Sequence, residues 1–303
     1  MYNERGALFL GLAAVLLWST VASAFKISLR YLSPVQLLFW ACLTSVCILG
    51  LVLLLQGKLK EMLRMRPASL LHLGLPGLLT PWLYYLVLFK AYELLPAQEA
   101  QPLNYSWAIT LSLLAAPILG HKLRRKQLAA IALSYVGAII IATRGDPLSL
   151  HFSNGFGVFL ALASTLIWAT YWIWQTWSRV DPVIGLFCNF AFALPFVTLT
   201  LWLTEGFSLP DQKGLAGAVY VGMFEMGLTF LLWLKALQLT RRTVRIANLI
   251  YLSPFLSLVL IHYLVGEEIL ASSYLGLLLI VAGVLLQRNR SNHTVLPKLS
   301  FPP

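Results

Sequence analysis

The chain has 303 residues, of which 59% are apolar, 13% aromatic and only 11% charged, with a mean hydropathy of +0.79 and a net charge of +11. Soluble domains carry about 25% charged residues, so a water-soluble globule is excluded, and this much apolar and aromatic content excludes disorder. An integral membrane protein of many helices is left.

Runs free of Asp, Glu, Lys and Arg cover residues 6–25, 31–57, 67–89, 100–121, 127–143, 147–178, 182–204, 246–266 and 269–287; a further apolar stretch, 214–237, is interrupted by Glu225 and Lys235. A spanning helix needs about 20 apolar residues. The predicted fold class is therefore all-α integral membrane, with ten transmembrane helices. The runs are too long and too uniformly apolar for barrel strands, which alternate over about 10 residues. Ala22-Ser23-Ala24 resembles a signal-peptide cleavage site, but the preceding run is long for a signal segment and its pattern recurs later, so it reads as span 1.

The spans differ in what they carry. On span 1, Trp18, Ala22 and Phe25 share one face. Span 3 holds Pro76, Gly77 and Pro81, then Tyr84 and Tyr85, with Lys90 and Glu93 at its outer end. Span 4 holds Glu99, Pro102, Asn104, Tyr105, Trp107 and Pro117. On span 6, Trp168, Trp172 and Gln175 share a face, and Pro195 lies on span 7. Span 8 carries Glu225 at its middle and Lys235 near its inner end. On span 9, Asn248, Tyr251 and Phe255 share a face beside Pro254. Each proline removes a backbone hydrogen bond, giving either a static kink or, in span 3, a bending element.

Short loops with more Lys and Arg stay in the cytoplasm. Of the 22 Lys and Arg, Lys26, Arg30, Arg144 and Lys213 fall between odd and even spans, Lys90 and Lys235 fall within spans, and the other sixteen fall on the opposite side. Both termini are therefore expected in the cytoplasm, and the polar tail 291–303 is expected to be disordered. Basic residues scattered in this way exclude one nucleic-acid patch. The partners expected are a small-molecule substrate and the lipid bilayer, with the chain acting as a monomer or homodimer.

The halves resemble each other. Leu12, Leu17, Trp18 and Thr20 precede Leu162, Ile167, Trp168 and Thr170 by 150 residues; Pro34 precedes Pro182 by 148; Lys90, Ala91 and Leu94 precede Lys235, Ala236 and Leu239 by 145; Tyr105, Gly120 and Gly137 precede Tyr251, Gly266 and Gly283 by 146. Five spans per half make the second half enter the membrane from the opposite side. That pattern predicts an inverted repeat, 1–146 and 147–290, with a substrate site between the halves.

At this level the chain resembles the drug/metabolite transporter superfamily, in its EamA-type ten-helix branch, over about residues 5–288. Leu16-Leu17-Trp18-Ser19-Thr20 and Glu99-Ala100-Gln101-Pro102-Leu103-Asn104-Tyr105-Ser106-Trp107 further resemble the bacterial aromatic amino-acid exporters, although that group has a proline where this chain has Ala108. The resemblance implies a central cavity and export of amino acids or similar metabolites across a bacterial inner membrane.

An acid at the bilayer centre costs about 2.5–3.5 kcal/mol on insertion scales. Glu225 must therefore either face a wet cavity, where it can bind an ammonium group or a proton, or stay protonated and bonded to a neighbouring helix. Trp18, Thr20, Tyr84, Tyr85, Asn104, Tyr105, Trp107, Trp168, Trp172, Asn248 and Tyr251 are the remaining cavity candidates, with packing as the alternative for each. Aromatic walls suit amphipathic substrates through stacking and cation–π contact. Lys90, Glu93 and Glu99 form either a gate or a structural ion pair in which Lys90 meets Glu93 or Glu99. Lys235 is expected to snorkel to the interface.

There is no P-loop, no H-E-x-x-H and no G-x-S-x-G, and the five histidines and three cysteines are scattered. No catalytic residue, metal or cofactor is expected. The function read here is secondary export by alternating access. Drugs or other amphipathic metabolites are alternative cargo on the same fold, sugar phosphates being disfavoured by the lack of mid-span basic residues, and a lipid-modifying membrane enzyme is a remote alternative.

Overall fold

The structure is a computed structural model that describes residues 3–118, 125–148, 152–175, 180–240, 246 and 248–288. Gly120, the tail 291–303, and eight of the counted basic residues (Lys122, Arg124, Arg179, Arg241, Arg242, Arg245, Arg290 and Lys298) lie outside the described residues.

The described residues are helical, with no strand among them. In chain order the helices are α1 (Glu4–Ser28), α2 (Pro34–Leu55), α3 (Leu59–Leu63), α4 (Pro67–Leu94), α5 (Ala97–Tyr105), α6 (Trp107–Ile118), α7 (Arg125–Ala142), α8 (Gly155–Gln175), α9 (Pro182–Thr204), α10 (Gln212–Leu239), α11 (Leu249–Val265) and α12 (Ala271–Arg288). By length and composition, seven of them can cross a membrane: α1, α2, α4, α7, α8, α9 and α10. Of the other apolar helices, α11 is shorter and α12 is apolar over Ala271–Leu286.

Helix starts follow from local chemistry. Side-chain oxygens of Asn3, Ser33, Asp181 and Asp211 accept from first-turn N–H groups, and Pro34 and Pro182 occupy first positions where no N–H is needed. Asn154 accepts from Gly157 N at 2.8 Å. That bond starts α8 eight residues later than the apolar run 147–178 suggests. At the end of α11, Gly266 has φ +83°, a left-handed conformation that glycine adopts without strain.

Four of the predicted spans are interrupted. In α4 a 3-10 turn (Leu75–Leu78) leads into a π turn (Leu79–Leu83), and Thr80 is non-helical at φ −141°, ψ 116°; Pro76 and Pro81 supply no N–H to hold the ladder there. In α10 a π turn covers Val221–Leu228. The fourth span, read from sequence as one run, divides into α5 and α6 at Ser106, whose Oγ donates to Leu103 O at 2.7 Å and competes with the helix backbone. α11 begins as a 3-10 turn (Leu249–Leu252) and ends as a π turn (Ile261–Val265).

Packing relates the helices in matched pairs. α1 lies against α10 and α11, while α8 lies against α4 and the α5–α6 pair; α2 lies against α9, and α7 against α12. Close approach depends on glycine. A Cβ on Gly77 (α4) would sit 2.1 Å from Asn189 O (α9), and one on Gly222 (α10) would sit 2.3 Å from Ala41 O (α2). Likewise Gly137 (α7) meets Gly276 O (α12), and Gly283 (α12) meets Ala130 O (α7), each with a would-be Cβ at 2.5 Å. In lipid, where helices gain no hydrophobic energy by leaving their solvent, such small-residue contacts are a principal source of association.

The connections sort into two groups by contact. At one end Arg30 donates to Val265 O, Ser33 to Glu205, Gln36 to Ser208, and Gln98 to Glu268 O; the N–H groups of Ala97 and Gln98 donate to the Glu267 carboxylate. At the other end Lys58 pairs with Asp181 at 2.6 Å, Asn3 N donates to Leu239 O, and Thr240 donates to Glu4. Lys26, assigned from sequence to a loop, lies in the last turn of α1 and donates to Tyr92 O and Leu95 O at 2.7 and 2.6 Å.

Candidate functional site

Where α1, α4, α8 and α10 meet, aromatic side chains form a continuous cluster. Tyr84 stacks on Trp168 with centroids 4.6 Å apart and planes at 30°. Around Trp168 lie Tyr171 (5.8 Å), Trp172 (5.9 Å), Trp107 (6.4 Å) and Phe230 (6.5 Å). Trp18 meets Phe230 edge-on at 5.4 Å and Trp233 at 5.5 Å. Tyr85 lies 4.8 Å from Tyr84.

Glu225 stands in this cluster on the π turn of α10. Tyr85 donates to Glu225 Oε1 at 3.1 Å, and the carboxyl interacts electrostatically with Tyr84 and Tyr105. The residue is half-buried, as are Met223 and Phe224 before it, while Met226 after it is fully buried. A π turn adds one residue to the helical repeat, which rotates the following side chains relative to an α-helix and often marks a functional site. Phe230 reaches Trp18 and Trp168 from beyond that turn.

Two hydrogen-bonded chains hold the cluster. Tyr84 donates to Asn104 Oδ1 at 3.3 Å and Asn104 Nδ2 donates to Ser164 Oγ at 2.9 Å, linking α4, α5 and α8. Tyr105 donates to Ser253 Oγ at 3.1 Å, linking α5 to α11. Ser19 Oγ lies 3.4 Å from Ser253 Oγ but donates to Val15 O at 2.6 Å; with one proton available, the shorter bond takes it. The indole N–H of Trp172 is buried with no hydrogen-bond partner among the described residues. Asn104, Tyr105, Trp107, Trp172 and Tyr251 are half-buried, whereas Tyr84, Tyr85 and Trp168 are buried.

The other residues singled out from sequence have these surroundings. Thr20 donates to Leu17 O and accepts from Tyr220 of α10 at 2.6 Å. Asn248 is exposed at the start of α11, whereas Tyr251 packs against the same core that contains Tyr84, Tyr85 and Trp168. Of the two acids open to Lys90, the structure pairs it with Glu93 at an exposed helix edge. Glu99 is fully buried and engages two partners the sequence did not suggest: Arg144 Nε at 3.4 Å from Oε1, and the Ser153 hydroxyl, which donates to Oε2. Lys235 is exposed. Phe230, Trp233, Tyr171, Ser164 and Ser253 were also missed; Phe230 lies five residues after Glu225, an interval no α-helical face includes.

An open apolar groove of about 720 Å³ lies elsewhere, between α9 and Phe207, lined by Leu194, Pro195, Thr198, Leu199 and Trp202 among others. It includes none of the residues above.

The model of the EamA-like transporter family matches the chain over residues 5–143 and 155–288. An uncharacterized transporter of Archaeoglobus fulgidus is 24% identical over 289 residues, covering 94% of this chain and 97% of the relative. The aromatic amino acid exporter YddG of Ancylobacter novellus is 27% identical over 264 residues, covering 86% and 88%. A probable amino-acid metabolite efflux pump of Salmonella typhimurium is 25% identical over 303 residues, covering 91% and 92%. A solved crystal structure, 24% identical and covering 94% of this chain and 96% of its own, superposes with a TM-score of 0.64, which relates the two folds.

Proposed function

The chain belongs to the EamA-like transporter family and is a multi-pass membrane protein, and from that premise we propose that it is a secondary exporter of amino acids, aromatic or otherwise hydrophobic, or of related small metabolites. It works by alternating access across a bacterial inner membrane, with both termini in the cytoplasm. The observation that carries this reading is the Tyr85–Glu225 bond inside an aromatic cluster built by helices of both halves. A half-buried carboxyl among stacking rings, on a helix too apolar to hold a charge without purpose, suits capture of an amphipathic molecule with an amino group. Relatives named as amino-acid exporters support the same substrate class.

Ten spans in two inverted repeats, 1–146 and 147–290, are part of the proposal. The family model matches two successive stretches. Gly77 against Asn189 O and Gly222 against Ala41 O are related by the offsets of the sequence repeat, as are the Gly137 and Gly283 contacts. The third span of each half contains a π turn, and the fourth span of each breaks next to the matched tyrosines, Tyr105 and Tyr251. The division of the loops between two ends of the molecule suits ten crossings. Such a near-symmetry permits alternating access, because each half can adopt the other's arrangement.

Purified protein in proteoliposomes, given a panel of amino acids and related amphipathic metabolites with and without a pH gradient, tests the reading. Protein-dependent movement of at least one class is expected. A panel on which nothing moves removes it.

A further inference from the structure

We infer that the substrates this site favours carry one positive charge and no free carboxylate: aromatic or apolar amines, and the amides and esters of amino acids, ahead of the amino acids themselves. The inference rests on the transporter reading above and narrows its substrate class.

Two features of the site act in the same electrostatic direction. Aromatic faces carry the negative part of the ring quadrupole and attract cations, and Trp18, Trp107, Trp172 and Phe230 of the cluster are partly exposed. Glu225, bonded to Tyr85 in the same cluster, adds an acid. A basic group is what a zwitterion's carboxylate would need, and the described basic side chains on or near these helices are paired elsewhere or exposed. Lys26 is bound to the carbonyls of Tyr92 and Leu95, Lys90 to Glu93, Arg144 to Glu99 and Lys58 to Asp181, while Arg5, His72, Lys213 and Lys235 are exposed. Among the described residues none of them contacts the cluster or Glu225.

An amino acid entering here places its carboxylate beside Glu225, where an ionised carboxyl repels it and low polarity strengthens that repulsion. An amine meets attraction alone. The neutral donor at hand, the unpartnered indole N–H of Trp172, suits a carbonyl oxygen, which an amide or ester retains. It does not offset a second negative charge.

The test compares matched pairs in proteoliposomes holding the full chain: tryptophan with tryptamine, and leucine with leucinamide. Protein-free vesicles are subtracted, and N,N,N-trimethyltryptammonium serves as a cation that does not cross lipid unaided. The expected result is a kcat/KM about tenfold or more higher for the carboxylate-free member of each pair. Glu225→Gln is expected to remove most of that preference. Equal or better movement of the amino acid overturns the inference and leaves the transporter reading standing. No protein-dependent movement of either member overturns the inference, and the transporter reading then falls if nothing on the wider panel moves. If Glu225→Gln proves poorly folded, the wild-type comparison decides alone.

Discussion

Tyr85 donates its phenolic proton to Glu225 Oε1 across 3.1 Å and so joins α4 to α10, the third helices of the two proposed halves. A hydrogen bond contributes about 0.5–1.5 kcal/mol, and about 1.5–3 kcal/mol when the carboxyl is ionised, the latter roughly 10–100-fold in rate where it matters to the loaded state. Tyr85→Phe and Glu225→Gln are therefore expected to fold and insert normally yet to lower transport at least about tenfold. Glu225→Gln should also flatten the pH response, since the amide cannot exchange a proton. Initial rates across a pH series check both; ordinary rates with an unchanged pH response would leave the bond a structural one.

Trp168 touches Tyr84, Tyr171, Trp172, Trp107 and Phe230 at once. Truncating a buried tryptophan costs about 3–5 kcal/mol, so Trp168→Ala loses abundance whatever its role. Trp168→Phe keeps most of the volume. It is expected to shift preference among aromatic substrates, measured per mole of folded transporter, by more than it shifts melting temperature. The reverse ordering would mean that the ring only packs.

Gly77 and Gly222 each abut a backbone carbonyl, with would-be Cβ atoms 2.1 and 2.3 Å from Asn189 O and Ala41 O. Backbone yields less readily than a flexible side chain, so Gly77→Ala and Gly222→Ala are each expected to destabilise by about 1–3 kcal/mol. Gly185, on α9, has nothing within 4 Å of its would-be Cβ, and Gly185→Ala should be neutral or stabilising. Thermal unfolding in detergent distinguishes them. Equal behaviour of all three would contradict the close crossings.

Glu99 is fully buried between Arg144 and Ser153. Arg144 is half exposed, so water screens part of the pair, and Arg144→Ala is expected to cost about 1–3 kcal/mol by leaving the acid without its cation. Adding Glu99→Gln should recover much of that loss, because the uncompensated charge is gone. A double-mutant cycle on melting temperature reads the coupling, and strictly additive effects would show that the two do not act as a pair.

Ser208 and Arg64 lie on connections assigned to opposite ends of the bundle. In a chain whose three cysteines, Cys42, Cys47 and Cys188, have been replaced, a cysteine at 208 should react with an impermeant thiol reagent applied from outside the cell. One at 64 should react only after the membrane is opened. Labelling of both from the same side contradicts the proposed topology.

What sequence by itself determined was the class of the molecule, an all-helical membrane protein. A bilayer admits only backbone that satisfies its own hydrogen bonds, so long uncharged runs dictate helices and short charged segments dictate their ends. The matched offsets between halves and the isolated acid at Glu225 were legible for the same reason: each departs visibly from an otherwise uniform apolar background. Which side chains meet was left to tertiary structure. Lys90, Glu93 and Glu99 lie within ten residues of one another, yet the buried acid is held by Arg144 and Ser153, brought to it by the connection before α8. Phe230 reaches Trp18 and Trp168 because the π turn at Val221–Leu228 changes the residues per turn, and a search for period 3.6 passes over it. Facing depends on helix rotation and crossing. Both are decided where glycines let backbones touch, by contacts between residues more than a hundred positions apart, and no local periodicity encodes them.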